Sequence, residues 1–267
     1  MTNEDMQRQW NSPRTMKIWR VAEAGLSAVT APLLDTLQPT PGERMMDVGC
    51  GGGLTAIEVA QTVGPAGHVV GADISEDLLV LSRERAATAE VTNVSFVNAD
   101  VQIAEVPGAP FDAVFSRLGV MFFEDPVAAF ANIRRHMKPG ARLVFICFQG
   151  FKANDWYPSE LLAKYEPPRP PSRFLAPTAF ALGVQPATEG FLLEAGFRET
   201  EFEAISMDFD VPYEIVSVAG RIPQFSLPPE AASDAIAALQ AHETKYVTKG
   251  RHLTERKLWI VRAANPG

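Results

Sequence analysis

The chain has 267 residues, 46% of them hydrophobic and 21% charged, with a net charge of -8. That balance is ordinary for a soluble globular chain, and the length fits one large domain or one domain with an added cap. The acidic excess counts against a nucleic-acid partner, because neutralising phosphates takes a basic surface. The densest basic run, Arg134, Arg135, His136 and Lys138, ends an expected helix, where cations complement the helix dipole. Cys50 and Cys147 form neither a disulfide framework nor a metal-ligand spacing, so a reducing, cytoplasmic compartment is expected. The N-terminus is polar, without the basic and apolar regions of a secretory signal. No apolar run approaches the roughly 20 residues that span a bilayer.

Residues 1 to 40 read as an amphipathic helical cap. Trp10, Trp19, Leu26, Val29, Leu33, Leu34 and Leu37 recur mostly every three to four residues, and Pro39 and Pro41 end the segment. From residue 42 the chain alternates short apolar runs with helical patterns. Strands are expected at 44–48, 68–72, 94–97, 112–116 and 143–148. Ser75 is placed to cap the helix after the second strand, with Glu76 and Asp77 in its first turn. Asp125-Pro126 opens a later helix, whose apolar stripe is Phe130, Ile133 and Met137 and which Lys138-Pro139-Gly140 stops. The fifth strand is almost wholly apolar, as a strand buried on both faces should be. This β-α alternation predicts a parallel sheet covered by helices on both sides.

After Gln149 the pattern breaks. Residues 150–186 hold seven prolines, and 208–229 form a second irregular excursion. Segments of this kind often serve as lids or binding loops. Between and after them a helix is expected at 188–195, a strand at 197–207, a helix at 230–246 and a last strand at 257–262.

The chemistry concentrates in Asp47-Val-Gly49-Cys-Gly51-Gly-Gly53. Glycines here turn the chain sharply from strand to helix and let a ligand approach the main chain. Loop N–H groups and the helix N-terminus suit a nucleotide-like ligand at the carboxyl end of a parallel sheet. A dinucleotide fingerprint wants a third glycine where Leu54 stands, and no Gly-Lys-Ser/Thr follows as in a P-loop.

The run from Asp47 to Gly53 resembles the first signature of class I S-adenosylmethionine-dependent methyltransferases. Val69-Val-Gly-Ala-Asp73-Ile74, Asn98-Ala-Asp100-Val101, Phe111-Asp-Ala-Val-Phe-Ser116-Arg117 and Met137-Lys-Pro-Gly140-Ala-Arg-Leu143 resemble its later segments, in the family's order. Within that family the ubiquinone/menaquinone-biosynthesis-type and related small-molecule enzymes are most similar, over residues 42–147. Trp10-Asn11 and Trp19 resemble a helical cap in that group.

The resemblance implies a doubly wound, Rossmann-like α/β fold. Its seven-stranded sheet would be mostly parallel with an antiparallel last strand, and a helical N-terminal cap and lid insertions would be added. It divides the chain into a cap, 1–40, and a methyltransferase domain, 42–267. It implies that Asp73 holds the ribose hydroxyls of S-adenosylmethionine, that Asp100 contacts the adenine amine, and that Ser116 and Arg117 lie under the transferring methyl group.

Aromatic faces attract a sulfonium cation, which makes Trp10, Trp19, Phe122 and Phe123 candidates. Met121, Phe123, Trp156 and Tyr157 are candidates for the acceptor pocket. No catalytic base and no metal ligand is singled out. Each residue also has a plainer reading. Asp73 caps a helix, Asp100 sits in a turn, the aromatics pack the core, Arg117 pairs at the surface, and His136, His242 and His252 are surface residues. The expected function is methyl transfer to a small molecule, by a monomer or homodimer, with the acceptor atom (O, N or C) left open. A non-catalytic binder of S-adenosylmethionine and a nicotinamide-dependent oxidoreductase are the alternatives.

Overall fold

A computed structural model describes residues 2–165, 174, 178–213 and 229–267, without the side chains of Arg14, Ile18, Ala22, Ala24 and Pro229. Helices α1 (Asn3–Trp10), α2 (Pro13–Gly25) and α3 (Thr30–Leu37) form the N-terminal segment. Next come β1 (Arg44–Val48), α4 (Leu54–Val63), β2 (His68–Asp73), α5 (Glu76–Thr88), β3 (Val94–Asn98) and β4 (Phe111–Arg117). Helix α6 (Pro126–Arg135) and β5 (Met137–Phe148) complete the alternating part. The rest holds α7 (Ser159–Leu162), α8 (Gln185–Glu194), β6 (Arg198–Pro212), α9 (Pro229–Glu243), β7 (Val247–Thr248) and β8 (Arg251–Ala264).

One sheet joins them in the order β3-β2-β1-β4-β5-β8-β6, and two-residue β7 pairs with β8. Strands β1 to β5 are mutually parallel, whereas β8 runs antiparallel to both β5 and β6. The expected seven-stranded sheet with an antiparallel last strand is therefore present, and β7 is a short addition. The order reverses at β1, whose neighbours are β2 and β4, so the crevice for a ligand opens beyond the carboxyl end of β1.

Local signals explain the helix starts. Ser75 accepts from the Leu78 N–H, and Asp125 accepts from the Ala128 N–H ahead of Pro126. Two expectations need correction. Helix α6 stops at Arg135, so Met137 begins β5 rather than extending the helical stripe. Pro139 and Gly140 sit in an irregularity of β5, where the pairing jumps from Phe111↔Met137 to Ala113↔Arg142. Asn265 fills that gap by donating to the carbonyls of Met137 (3.2 Å) and Lys138 (3.0 Å).

The excursion expected from 208 also begins later. Asp208 to Pro212 continue β6, paired with Glu255 to Arg251 of β8. Residues 214–228, together with Pro167, Pro168, Pro170, Pro171 and Pro177, lie outside the described residues.

His136 is buried, contrary to the surface reading. Its Nε2 accepts from the Val106 N–H (2.9 Å) and its Nδ1 meets the Asn132 carbonyl (2.8 Å), which ties the β3–β4 connection to α6. The core lies between sheet and helices around Phe111, Phe115, Phe130, Phe145 and Phe197, all fully buried. Phe130 stacks on Phe145 with ring centroids 5.5 Å apart and meets Phe197 edge-on at 6.5 Å. Phe130→Ala should lower unfolding free energy by about 3–5 kcal/mol, measured by urea denaturation, because the cavity cannot refill.

Candidate active site

Beyond β1 the chain passes through Gly49, with φ +68°, and Gly51, with φ +54°. A Cβ on Gly49 would lie 2.7 Å from the Cα of Gly119, so the loop after β1 crosses the turn after β4 only because both residues lack side chains. A Cβ on Gly51 would lie 2.9 Å from the Trp19 ring. Ser116 holds the turn. Its hydroxyl donates to the Val48 carbonyl (2.7 Å) and accepts from the N–H groups of Gly119 (3.1 Å) and Val120 (3.2 Å).

A cavity of about 210 Å³ opens at this crossing, floored by the glycine loop and by the carboxyl ends of β1 to β4. Three acids reach it from three adjacent strands. Asp73, at the end of β2, accepts the Gly51 N–H on Oδ2 (2.8 Å) and the Ser75 N–H on Oδ1 (2.9 Å). Each of its oxygens keeps capacity for a further donor. The helix cap is Ser75, so the plainer reading of Asp73 as a cap does not describe its place. Asp100, just past β3, accepts from the Gln102 N–H (3.0 Å) and from Nδ2 of Asn3 (2.6 Å).

Asp47, on β1, is 2% exposed, and among the described residues no hydrogen bond reaches its carboxylate. Burial pushes its pKa up to about 7, opposed by attraction to Arg117 and aided by repulsion from Asp73. Burial also raises the Asp73 carboxyl above its ordinary value, against its backbone hydrogen bonds.

Arg117 is not at the surface. It lines the cavity at the end of β4, donates to Thr30 Oγ1 (3.2 Å) and stands 4.0 Å from Glu23. Burial lowers its pKa, while attraction to Asp47 and then Glu23 raises it. Glu23 is itself buried and takes both ends of the Arg85 guanidinium (3.0 and 2.8 Å). Arg85 also bonds the Gly52 carbonyl (2.9 Å), which fixes α2 to the glycine loop.

The rest of the lining is largely apolar. Trp10 meets Phe122 edge-on at 5.3 Å, and Trp19, Met121, Phe123 and Phe148 join them. Ile74 and Val101 flank Asp73 and Asp100. Of the residues singled out in sequence, Trp10, Trp19, Asp47, Gly49, Gly51, Asp73, Ile74, Asp100, Val101, Arg117, Met121 and Phe123 come together on the cavity.

Four do not. Gly53 starts α4, packed against Ser82 and Phe96, and Ser116 acts through the backbone as described. Trp156 and Tyr157 pack behind Phe148, among Phe151 and Phe180. Asn3, Met6, Glu23 and Phe148 line the cavity although no motif marked them. Glu23 lies four residues after Trp19, on the same side of a helix, and that spacing was the available signal.

Residues 39–166 match the family model of a methyltransferase domain. Aklanonic acid methyltransferase DauC of Streptomyces sp. strain C5 is 33% identical over 113 residues, 42% of this chain and 51% of that protein. The ubiquinone/menaquinone biosynthesis C-methyltransferase UbiE of Saccharophagus degradans is 28% identical over 197 residues, 70% of this chain and 75% of that one. The structure of a putative methyltransferase from Bacillus halodurans superposes with a TM-score of 0.62 at 19% identity, covering 90% of this chain and all of that one. Residues 39–166 are thus similar to a methyltransferase domain, and the fold is that of solved methyltransferase structures. It spans about half the length of the first curated relatives it matches.

Asp47 gives a pH prediction. Its folded pKa of about 7 lies above its ordinary 3.8, so the folded state binds the proton more tightly than the unfolded state. Stability from this group is present at acid pH and is lost as pH rises from about 4 to about 7. Asp47→Asn should therefore stabilise the ligand-free protein at pH 8, by at most about 4 kcal/mol, and by little at pH 4. Denaturant titrations of both proteins across that range would show the difference growing with pH.

Proposed function

We propose that the protein transfers the methyl group of S-adenosylmethionine to a small-molecule acceptor and releases S-adenosylhomocysteine. One observation carries this reading: three carboxylates, Asp47, Asp73 and Asp100, stand at the ends of adjacent parallel strands in one cavity beside a glycine loop.

The residues fit that cofactor. Asp73 retains lone pairs for vicinal hydroxyls, while its two backbone hydrogen bonds fix its orientation. Asp100 is suited to accept from an exocyclic amine, with Ile74 and Val101 as apolar walls for a flat base. Asp47 and Arg117 offer opposite charges to the amine and carboxylate of an amino-acid end. An ammonium group also supplies the hydrogen-bond partner that the Asp47 carboxylate lacks among the described residues. Trp10, Trp19 and Phe122 present rings to a cation.

S-adenosylmethionine brings a methyl group already activated on a sulfonium, so the protein's part is to orient the acceptor and exclude water. The apolar lining and the cap suit that task. Asn3 bonds Asp100, and the Ser75 hydroxyl reaches the Trp10 carbonyl (3.2 Å) and Asn11 Oδ1 (3.0 Å). Helix α1 and Asn11 thus close over the two acids assigned to the nucleoside. No helix among the described residues is long and apolar enough to cross a membrane. We assign the protein a small-molecule acceptor and no nucleic-acid partner, on a net charge of -8.

Calorimetry with S-adenosylhomocysteine and with NAD tests the reading. S-adenosylhomocysteine should bind and NAD should not; the reverse would overturn the proposal. Asp73→Asn should weaken S-adenosylhomocysteine by about 1.5–3 kcal/mol, the scale of a hydrogen bond to a charged group. Turnover across a panel of phenols, amines and activated methylenes then separates an enzyme from a binder. Amide hydrogen exchange should slow on binding at residues 49–53 and also within 3–25, since closing the cap suppresses local opening. Protection confined to 42–147 would remove the cap from the mechanism.

A further inference from the structure

The two long strands β6 and β8 continue past the carboxyl end of β5. Leu258 pairs with Phe148, the last residue of β5, and β8 runs on in the other direction to Arg251. Alternation puts Arg256 on the same face as Leu258 and Phe148, one repeat of about 7 Å along the strand beyond Leu258. The same face carries Thr254 and His252 and, from β6, Met207, Phe209 and Val211 opposite them. All six are buried. A buried strand face is ordinarily apolar; here β8 contributes three polar residues in a row.

Arg256 is 6% exposed, yet among the described residues no carboxylate pairs with it. Its Cζ lies 3.2 Å from the centroid of the Trp156 ring and 4.2 Å from that of Phe209. Two rings thus take up the guanidinium, which directs its remaining hydrogen bonding to its edge. Along that edge Nε donates to Thr254 Oγ1 (2.7 Å), and the N–H groups of both Nη atoms have no protein partner among the described residues. Burial lowers its pKa to about 9, which still leaves a cation at neutral pH.

The sandwich is built in advance. Trp156 Nε1 donates to Asn154 Oδ1 (3.0 Å), and fully buried Asn154 also accepts from the Lys257 N–H (2.9 Å) and donates to the Lys257 carbonyl (3.0 Å). Further along, Nδ1 of His252 and Nε2 of His242 are buried without a hydrogen-bond partner among the described residues. Tyr213, beside His252, donates to Glu243 (2.8 Å). Phe209 also approaches Gly25, where an added Cβ would lie 2.8 Å from its ring, between the cavity residues Glu23 and Leu26. The polar row is not itself part of the cavity lining; it begins directly behind the lining residue Phe148 and reaches Gly25, between the lining residues Glu23 and Leu26.

We infer that this row is the acceptor-recognition end of the site, and that the acceptor is a flat, largely apolar molecule carrying one anionic group that Arg256 receives. The inference rests on the methyltransferase reading, since it names the second substrate of that site. Arg256 is a specificity residue on this account, and Trp156 and Asn154 position it. The guanidinium is largely buried and its Nη groups have no protein acceptor among the described residues, so a ligand anion gains by supplying one.

The test compares 2-naphthoate with 2-naphthamide, equal in shape and different in charge, by calorimetry on the full chain saturated with S-adenosylhomocysteine. The naphthoate should bind the wild-type protein about ten-fold tighter or more. In Arg256→Gln the two ligands should agree within about two-fold, in Arg256→Lys part of the preference should remain, and S-adenosylhomocysteine affinity should be unchanged in both. Equal binding by the wild-type protein, binding of neither ligand, or a preference that survives in Arg256→Gln would overturn the inference. The wild-type comparison needs no variant, so a poorly folding Arg256→Gln leaves it decisive. S-adenosylhomocysteine binding without a naphthoate preference overturns this inference alone. Failure of S-adenosylhomocysteine to bind overturns the cofactor reading beneath it.

Discussion

The loop after β1 crosses the turn after β4 at two glycines, and the cavity depends on that crossing. A side chain on Gly49 would meet the Gly119 backbone at 2.7 Å, and one on Gly119 would meet the Val48 carbonyl at 2.5 Å. The crossing lies where the strand order turns back, between β1 and β4, so two loops diverge from neighbouring strand ends and leave a crevice. The Ser116 hydroxyl pins one loop to the other through the Val48 carbonyl and two N–H groups. A bulkier pair at 49 and 119 would force the loops apart, and the acids at the strand ends would lose their fixed separation.

Those acids are a cost that the fold accepts. Desolvation raises the proton affinity of both Asp47 and Asp73, and the Asp73 carboxylate adds to the burden at Asp47. Backbone N–H groups from Gly51 and Ser75 offset it at Asp73. At Asp47 the nearby charge of Arg117 does so. A core optimised for stability would place apolar residues there, since buried charges rarely repay their desolvation. Their presence at one cavity is therefore better explained by a ligand than by folding.

The N-terminal helices belong to the same system of constraints. Helix α2 lays Trp19 against Gly51, sends Glu23 to Arg85 and Arg117, and meets Phe209 at Gly25. It thus spans from the glycine loop to the β6–β8 arm. Residues distant in sequence share one enclosure, so a change in the cap is felt by the acids and by the arm together.

Sequence alone determined the alternating strands and helices, the glycine loop and the acids at the strand ends. These are local facts: residue spacing fixes amphipathic period, glycine fixes permitted backbone angles, and an acid after an apolar run marks a strand's end. The same local signals placed Ser75 and Asp125 at helix starts. Other features were decided only in three dimensions. His136 and His252 read as surface residues because burial of a lone polar residue depends on partners far along the chain, such as Val106 for His136. Trp156 left the cavity because Phe148 stands between them, and Arg256 came to rest against Trp156 and Phe209. Asn3 reached Asp100 across ninety-seven residues. Such contacts follow from how an antiparallel strand extends past its parallel neighbour and how the cap folds back over the sheet, and no short-range pattern encodes either.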